Sequence, residues 1–430
     1  MGFRAGHGAL SKRLFICTNG IENETLFMTN PAFVPVITSL LENDLYKFTM
    51  WQALLHSHPA AHAEYEFTCR NEPQYPLSEL EDELNRQLDH LCTLRFADGE
   101  LEYLRNLRFI KPDFVDFLSL FHLQRKFITV RTEGERLRVH AIGPMVHTMP
   151  FEIYVLQLVN ELYFRRFDKD LHIQEGVNRL NQKIVLIKER VQQVATNRAH
   201  PFEFFDFGLR RRFSSEMQDL VVSTLARELP THFKGTSNVY LAHKYNLVPI
   251  GTHAHEWFGL FQAQETVRLR NFQKAALQAW VDEYRGDLGT ALTDMVGMDA
   301  FLSDFDLYFA KLFDSLRHDS GDPIVWGEKA LAHYARLRID THTKRLVFSD
   351  GLNVEKAFEL YDHFVDRTMT GFGIGTNLTN DTGIPALSIV MKLVRCNGQP
   401  VCKISDNPEK TNCSDPTFVA YLRQIFDKPA

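Results

Sequence analysis

The pattern of apolar and polar positions changes near residue 150. Before it, helical and strand patterns are mixed. NDLYKFTMWQALLHSH places apolar residues at helical spacing after a cap at Asn43 or Asp44, whereas AHAEYEFTCR alternates as a strand. KFITVRTEGERLRVHAIGP is typical of a hairpin with Glu-Gly at its turn. These patterns predict an N-terminal α+β domain over residues 29–148.

A repeating unit begins after residue 149. A helical stretch and a long charged helix over 172–196 lead into about seven repeats of a short apolar strand, a Gly-containing polar loop and a helix. One of these helices is predicted as a single amphipathic element in MDAFLSDFDLYFAKLF. The repetition indicates parallel β/α architecture, most economically an irregular β/α barrel over 149–384. A doubly wound open sheet is the competing topology.

The two ends of the chain depart from this repeat. Near the C-terminus, Asn397-Gly398 in LSIVMKLVRCNGQPVCKIS predicts a hairpin with a two-residue turn. We expect the segment 385–430 to pack back onto the N-terminal domain. Residues 1–28 contain an apolar core too short for a signal peptide, so we interpret them as a disordered or artefactual extension.

Composition excludes several classes of protein. The net charge of −6 is mild for 430 residues and the basic residues are scattered, which argues against a nucleic-acid-binding protein but allows a small anionic substrate. No run approaches the roughly 18 apolar residues of a membrane helix, so no membrane partner is predicted. The six cysteines show no zinc-type spacing and are predicted to be reduced thiols of a cytoplasmic protein.

Polar residues recur on the loops that follow the predicted strands, where β/α barrels carry their chemistry. If the barrel is correct, these loops converge on one pocket. In order, they contain Arg210-Arg211-Arg212, Ser237-Asn238, Thr252 with His253 and His255, Thr293-Asp294, Arg317 with Asp319-Ser320-Gly321-Asp322, Ser349-Asp350 and Gly373-Ile374-Gly375-Thr376.

The last three loops favour a phosphate-containing ligand. Backbone N–H groups beside Gly375 and the Thr376 hydroxyl suit a phosphate, although a plain tight loop is the alternative. In RHDSGDP, Arg317 can hold a carboxylate or phosphate, and Asp319 and Asp322 can bind ribose hydroxyls or Mg²⁺-linked oxygens. A salt-bridged turn is the alternative there.

Two histidines at alternate positions, His253 and His255, allow two interpretations. As a metal pair they would fit a metal-dependent hydrolase barrel, but the other strand-end loops offer mainly Ser, Thr, Arg and Asp. A single histidine fits better, either as a nucleophile or as a base oriented by a neighbouring carboxylate such as Glu256.

Seven spaced motifs resemble those of the nicotinate phosphoribosyltransferase family. They are NDLYKFTM, DFGLRRRF, KGTSN, GTHAHEW, RHDSGDP, FSDGLN and GFGIGTNLTND, in order from about residue 33 to the end. The resemblance implies a type II phosphoribosyltransferase fold and a homodimer with shared active sites. It also implies transfer of the phosphoribosyl group from phosphoribosyl pyrophosphate to nicotinate, coupled to ATP hydrolysis, with Mg²⁺ bridged through pyrophosphate and not fixed by the protein alone.

The resemblance also assigns roles to individual residues. The family's phosphorylated histidine, in G-T-x-x-H, falls on His255 and leaves His253 as structural. The nicotinate contacts fall on Tyr46, Thr252 and Arg317. The phosphoribosyl contacts fall on Arg210, Asp319, Ser349, Asp350, Gly375 and Thr376, with supporting positions at Ser237, Asn238, Ser320 and Asp322.

Other functions stay open from the sequence. Ser237 stands where nicotinamide-specific relatives carry an acidic residue, which favours an acid substrate because an Asp there would repel it. A quinolinate- or nicotinamide-type phosphoribosyltransferase, a metal-dependent hydrolase and a non-catalytic barrel are the alternatives.

Overall fold

Two sheets organise the described part of the chain, one antiparallel with five strands and one parallel with seven. The computed structural model describes residues 33–193, 198–406, 411 and 413–426, so the predicted extension over 1–28 lies outside the described residues. Both sheets belong to the unit formed by residues 35–430.

The antiparallel sheet has the strand order β13-β12-β1-β3-β2. Its strands are β1 (His62–Cys69), β2 (Ile128–Glu133), β3 (Arg136–Pro144), β12 (Ile389–Cys396) and β13 (Gln399–Pro400). β12 pairs with β1, which confirms that the C-terminal hairpin returns to the N-terminal domain. Its turn is Asn397-Gly398 as predicted, with φ of 48° and 75°. The β2–β3 turn lies at Gly134-Glu135, one residue later than predicted, because Glu133 still pairs with Arg136.

The parallel sheet confirms the repeated strand–helix unit. Its strands are β4 (Phe204–Asp206), β5 (Phe233–Thr236), β6 (Val248–Pro249), β8 (Thr290–Leu292), β9 (Ser315–His318), β10 (Arg345–Phe348) and β11 (Met369–Ile374), and a further short strand is β7 (Arg285–Leu288). The order is β6-β5-β4-β11-β10-β9-β8, so the sheet curls into a half-barrel whose terminal strands are β6 and β8. The first and last strands of the repeat, β4 and β11, thus lie side by side within the sheet.

Helices cover both sheets. Those before the parallel sheet are α1 (Leu45–Ser57), α2 (Glu81–Leu91), α3 (Asp98–Arg105), α4 (Pro112–Leu120), α5 (Met145–Thr148), α6 (Phe151–Phe164) and α7 (Lys169–Gln193). Those after its first strand are α8 (Ser215–Glu228), α9 (Val239–Lys244), α10 (His255–Gln262), α11 (Phe272–Tyr284), α12 (Met298–Asp304), α13 (Leu307–Leu312), α14 (Pro323–Arg336), α15 (Val354–Phe364), α16 (Thr376–Thr379) and α17 (Pro416–Phe426). No helix in the described ranges combines the length and the apolar character needed to cross a membrane.

One helix predicted as continuous is broken. The stretch 298–313 forms α12 and α13, and the break falls at Phe305-Asp306. Asp306 starts α13 by accepting hydrogen bonds from the backbone N–H groups of Tyr308 and Phe309. An aspartate that caps a helix start competes with helix continuation, which is why the apolar spacing alone was misleading.

Two helices of the N-terminal half are buried at the junction with the parallel sheet. Residues 45–54 of α1 and every residue of α6 are buried, because both helices are apolar around most of their circumference. The Leu45 amide donates to the Ser237 carbonyl, which joins the start of α1 to the end of β5. α1 starts after Asp44 as predicted, but the Asp44 side chain makes no capping hydrogen bond.

The C-terminal segment 385–430 divides between two locations. β12 completes the antiparallel sheet, whereas α17 packs beside the helices of the parallel sheet. The Phe426 ring lies 5.7 Å from that of Phe272, and the Arg270 guanidinium lies 4.9 Å from the Phe426 centroid. The expectation that the whole segment packs on the N-terminal domain therefore does not describe α17.

Candidate active site

A cavity of about 730 Å³ opens where the strands of the parallel sheet end. The predicted site residues that line it are Tyr46, Arg210, His255, Arg317, Asp319, Ser349, Asp350, Gly375 and Thr376. They come from α1 and from five different strand ends, so the convergence expected of a β/α barrel is present.

His255 is the first residue of α10 and is anchored by a carboxylate. Its Nε2 lies 2.8 Å from Oδ1 of Asp294, a residue that follows β8. Burial and the nearby Lys403 ammonium lower the pKa of His255, although Asp294 opposes this. The imidazole is therefore neutral at pH 7, with the Nε2 proton held by Asp294 and the lone pair on Nδ1.

Asp294 is itself held by three groups. Its Oδ2 accepts a hydrogen bond from Ser320 Oγ at 2.6 Å and lies 2.7 Å from Lys403 Nζ. Burial alone would raise the pKa of Asp294, but His255 and Lys403 hold it well below its usual range. Asp294, and not Glu256, thus orients His255, so the suggested role of Glu256 in orienting the imidazole was wrong. The Glu256 side chain instead pairs with Lys47 and accepts a hydrogen bond from Tyr65 Oη at 2.7 Å.

Arg317, on β9, borders the same cluster. Its Nε donates to Ser349 Oγ at 3.0 Å, and its Nη2 lies 3.3 Å from Oδ1 of Asp319. The other Asp319 oxygen lies 3.8 Å from His255 Nε2. Burial would raise the pKa of Asp319, but Arg317 and His255 keep it well below the ordinary value. The histidine, the arginine and the aspartate therefore form one charge-balanced group.

His253 points away from this group. Its ring lies 4.8 Å from that of Trp280 and 5.3 Å from that of Phe258, measured between centroids. Burial, with Arg317 and His255 nearby, lowers the pKa of His253 to about 3, so the ring is neutral. An H-x-H metal pair is therefore wrong for this structure.

A different set of metal-ligating atoms does come together, from His255, Asp294 and Asp319, all within 4.8 Å of one another. Lys403 Nζ lies against this set, 2.7 Å from Asp294 and 3.9 Å from Asp319. An ammonium group thus occupies the position in which a cation would neutralise the two carboxylates. The arrangement suits a hydrogen-bonded histidine better than a resident metal ion.

One wall of the cavity is rich in cations. Arg210, Arg211, Arg70 and Lys392 all line it, beside the Gly375-Thr376 turn at the end of β11. Burial, Arg210 and Arg70 lower the pKa of Arg211 to about 10. Burial also lowers the pKa of Lys392 to about 8, although Glu152 opposes it. Cations held at such a cost are stabilised when an anion binds among them.

Tyr46 lies beside this cationic wall. The residue is 7% exposed, and its ring centroid lies 5.9 Å from the Arg210 guanidinium. Burial raises the pKa of Tyr46 well above its usual value, so the phenol stays protonated. Within the described part of the chain its buried hydroxyl has no hydrogen-bond partner, so the donor is unsatisfied.

Two family models match the sequence. The model described as the nicotinate phosphoribosyltransferase N-terminal domain matches residues 41–160, and the model of the nicotinate phosphoribosyltransferase family matches residues 202–430. The chain belongs to the nicotinate phosphoribosyltransferase family.

Relatives and solved structures agree with this membership. The chain is 68% identical over 396 residues to a nicotinate phosphoribosyltransferase of Herminiimonas arsenicoxydans, covering 92% of the chain and 99% of the relative. It is 60% identical over 400 residues to that of Chromobacterium violaceum, covering 93% and 99%. The crystal structure of nicotinate phosphoribosyltransferase from Vibrio cholerae superposes with a TM-score of 0.86 at 38% identity, over 92% of this chain and 95% of that one.

Some residues assigned from the family resemblance lie outside the cavity lining. Thr252 donates its hydroxyl to the Thr290 carbonyl at 2.9 Å, and Asp322 caps α14 through the Val325 amide. Asn238 caps α9, Ser237 is buried at the end of β5, and Ser320 supports Asp294. In this family member these side chains position the elements that carry the lining residues.

Three lining cations, Arg70, Lys392 and Lys403, were not named from the sequence, and a fourth, Arg211, was named only as part of a strand-end loop. Arg70 follows β1, Arg211 precedes α8, Lys392 lies within β12 and Lys403 follows β13. Lys392 carries a recognisable signal, because a lysine interrupts an apolar strand in IVMKLVRC. The cavity lies where β12 meets the parallel sheet, and no pattern within the strand could indicate that.

Proposed function

We propose that this chain transfers the 5-phosphoribosyl group from phosphoribosyl pyrophosphate to nicotinate, giving nicotinate mononucleotide and pyrophosphate, a step of NAD salvage. Family membership supports this activity. The observation that carries the proposal for these residues is that His255, Arg317 and the Gly375-Thr376 turn line one cavity together with a cluster of cations.

The transfer itself needs alignment more than a protein nucleophile. The pyridine nitrogen forms a bond to C1 of the ribose, and the bond from C1 to the pyrophosphate oxygen breaks with its electron pair on pyrophosphate. Arg210, Arg211 and Lys392 supply positive charge for that departing group. Arg317 is suited to the nicotinate carboxylate, and Tyr46 offers a ring and a hydroxyl beside it.

We include ATP coupling through His255 in the proposal. Neutral Nδ1 attacks the γ-phosphorus of ATP, the bond to the β,γ-bridging oxygen breaks, and ADP leaves with the electron pair. Asp294 stabilises the positive ring that results, since it holds the Nε2 proton. The phosphoryl group adds about −1.5 to −2 charges. The cations that line the cavity are available to pair with it, and later hydrolysis restores the histidine.

Mg²⁺ is expected to enter with pyrophosphate groups. Asp319 and Asp350 line the cavity and are the carboxylates that would hold it, but Asp319 is already paired with Arg317. Mg²⁺ takes most of its ligands from phosphates and water, so one or two carboxylates from the protein are sufficient to bind it. When bound, the ion would neutralise charge on the leaving pyrophosphate.

A homodimer with shared active sites and a cytoplasmic location remain part of the proposal. Light scattering of the purified protein measures the first. A mass near that of one chain, 49.8 kDa, would contradict the dimer.

A single assay distinguishes the candidate reactions. Mononucleotide formation is measured with nicotinate, nicotinamide and quinolinate in turn, each with and without ATP. We expect activity with nicotinate, and a lower KM for it when ATP is present. A preference for nicotinamide or quinolinate would overturn the substrate assignment, and an unchanged KM would overturn the ATP coupling.

A further inference from the structure

Helix α1 lies directly against the segment Gly251–Glu256, which leads to His255 and begins α10. At the start of this contact, a Cβ on Gly251 would stand 3.1 Å from the Tyr46 amide nitrogen. Gly251 has φ +153°, so the chain passes α1 at a distance that only glycine allows. We call the contact between α1 and residues 251–256 the α1–His255 seam.

Hydrogen bonds continue the seam toward the histidine. Thr49 Oγ1 donates to the Thr252 carbonyl at 2.5 Å, and the Ala254 amide donates to Met50 Sδ at 3.3 Å. Each group comes from the buried face of α1. The backbone on both sides of His253 is thereby tied to this helix.

A buried ion pair closes the seam beside His255. Lys47 Nζ bonds to Glu256 and lies 2.7 Å from Glu152 Oε2, and Lys47 is 1% exposed. Tyr65 Oη donates to the second Glu256 oxygen at 2.7 Å. Because these charges are removed from water, their mutual pairing fixes their positions, and loss of the Glu256 charge would leave Lys47 paired with Glu152 alone.

The two ends of the seam both face the cavity. His255 directly precedes Glu256, and Tyr46 directly precedes Lys47. His255, Glu256 and Tyr46 all line the same space. A displacement of the start of α10 therefore pulls on Lys47 and reaches Tyr46 through the adjoining residue of α1.

We propose that Glu256 and Lys47 are positioning residues that transmit the phosphorylation of His255 to the nicotinate-binding side of the cavity at Tyr46. The inference rests on the proposed function, since it needs a phosphorylated His255. A phosphoryl group on His255 repels the carboxylates nearby and moves the first turn of α10. The Lys47–Glu256 pair carries this movement to α1, so that Tyr46 closes on the nicotinate ring.

The test compares the full-length protein with Glu256→Gln. Glutamine keeps the size of the side chain and can still accept the Tyr65 hydrogen bond, but it removes the charge that pairs with Lys47. Phosphohistidine is measured by mass spectrometry after ATP addition, and the nicotinate KM is measured with and without ATP. We expect phosphorylation to persist while the ratio of the two KM values shrinks by about tenfold.

Asp304→Asn is the matched control. Asp304 is a buried carboxylate outside the cavity lining that accepts from Arg270 Nη1 and Gln273 Nε2, each at 2.9 Å. Its substitution also removes a buried charge with one cationic partner. We expect Asp304→Asn to lower the melting temperature and to leave the ratio of the nicotinate KM values unchanged. The control thus separates general destabilisation from a loss of coupling between His255 and Tyr46.

A second variant covers the case in which Glu256→Gln fails to fold. Thr49→Val keeps the shape of the side chain and removes the hydroxyl, whose shortest hydrogen bond is to the Thr252 carbonyl and whose other contacts lie within α1. We expect a smaller KM ratio here too. The inference would be overturned by a variant that folds, becomes phosphorylated and keeps the wild-type ratio of the nicotinate KM values without and with ATP. If the wild-type protein itself forms no phosphohistidine, the proposed ATP coupling is wrong. This outcome is distinct from a failure of the inference about Glu256 and Lys47.

Discussion

Asp294 is the residue on which the chemistry of the cavity depends. It fixes the tautomer of His255 and at the same time binds Lys403 and Ser320. Because this carboxylate accepts the Nε2 proton, the lone pair of the neutral imidazole lies on Nδ1, and the same carboxylate pairs with Lys403. The tautomer of His255 and the pairing of Lys403 both depend on the charge of Asp294. A substitution that keeps the size of the side chain but removes this charge therefore tests them without altering the packing.

Asp294→Asn should reduce phosphohistidine formation by about 10²–10⁴-fold. The asparagine amide can donate to Nε2, which places the ring proton on Nδ1 and removes the nucleophilic lone pair. Phosphohistidine is quantified after ATP addition, with His255→Ala as the blank. Ser320→Ala, which leaves the carboxylate in place, should have a much smaller effect. Phosphorylation of Asp294→Asn at the normal rate would contradict the assigned tautomer.

Arg317→Ala should raise the nicotinate KM by about 10–100-fold, since a charge-assisted hydrogen bond to the carboxylate is lost. Steady-state kinetics with nicotinate as the varied substrate measure this. The control is Arg345→Ala on the neighbouring strand, where the guanidinium pairs with Glu203 at 2.7 Å and does not line the cavity. Equal KM increases in both variants would refute the assignment.

Lys392 should produce a pH dependence of substrate capture. Its pKa of about 8 in the empty cavity means that it is charged below this pH and neutral above it. The kcat/KM for phosphoribosyl pyrophosphate should therefore decline as pH rises through about 8, as measured in a pH series. Lys392→Arg keeps its charge throughout that range, so the decline should disappear. If kcat/KM still declines through pH 8 in Lys392→Arg, a group other than Lys392 causes the decline.

At the scale of elements, the ends of parallel strands bring the site together. β4, β9, β10 and β11 each deliver polar side chains to the same rim, because parallel neighbours end at the same edge of the sheet. This register was predictable from the repeat of apolar strand and polar loop. The placement of α1 was not, because a helix that is apolar all round gives no indication of which face carries Tyr46.

Gly235, within β5, should be intolerant of a side chain. A Cβ there would stand 2.0 Å from the Val248 carbonyl oxygen, at the point where β5 pairs with β6. We expect Gly235→Ala to lower the melting temperature by several degrees, since backbone strain of about 1–3 kcal/mol adds to the steric clash. Thermal unfolding measures it.

Gly286→Ala is the control for this effect. Gly286 also has a positive φ, +104°, but no atom lies within 4 Å of a Cβ at that position. Gly286→Ala therefore introduces backbone strain without a steric clash, and it should lower the melting temperature less than Gly235→Ala does. The reverse order would show that the contact between β5 and β6 is not the limiting feature.

At the scale of the whole molecule, charge is distributed unevenly. The chain carries a net charge of −6, yet one wall of the cavity collects Arg70, Arg210, Arg211 and Lys392. A sequence-wide balance argues against a nucleic-acid-binding surface, but it does not reveal this local excess. Lys392 and Lys403 reach the cavity only because the last strands return across the molecule, a long-range pairing that no local pattern indicates.

Added salt should weaken capture of the more highly charged substrate. Mobile ions screen the cationic wall, so the KM for phosphoribosyl pyrophosphate should rise severalfold as NaCl increases from low to high ionic strength. The KM for nicotinate, which carries a single negative charge, serves as the internal control and should change less. Equal salt dependence for both substrates would contradict a concentrated phosphate-binding wall.

The pairing of β12 with β1 also constrains how the protein is made. β1 lies between β3 and β12, so one of its edges has no partner until residue 389 and its successors have left the ribosome. That edge of β1 therefore has no partner within the chain for most of translation. An unpaired strand edge can associate with other chains. Nascent chains halted before β12 should therefore depend on chaperones, and release of the finished chain should end that dependence.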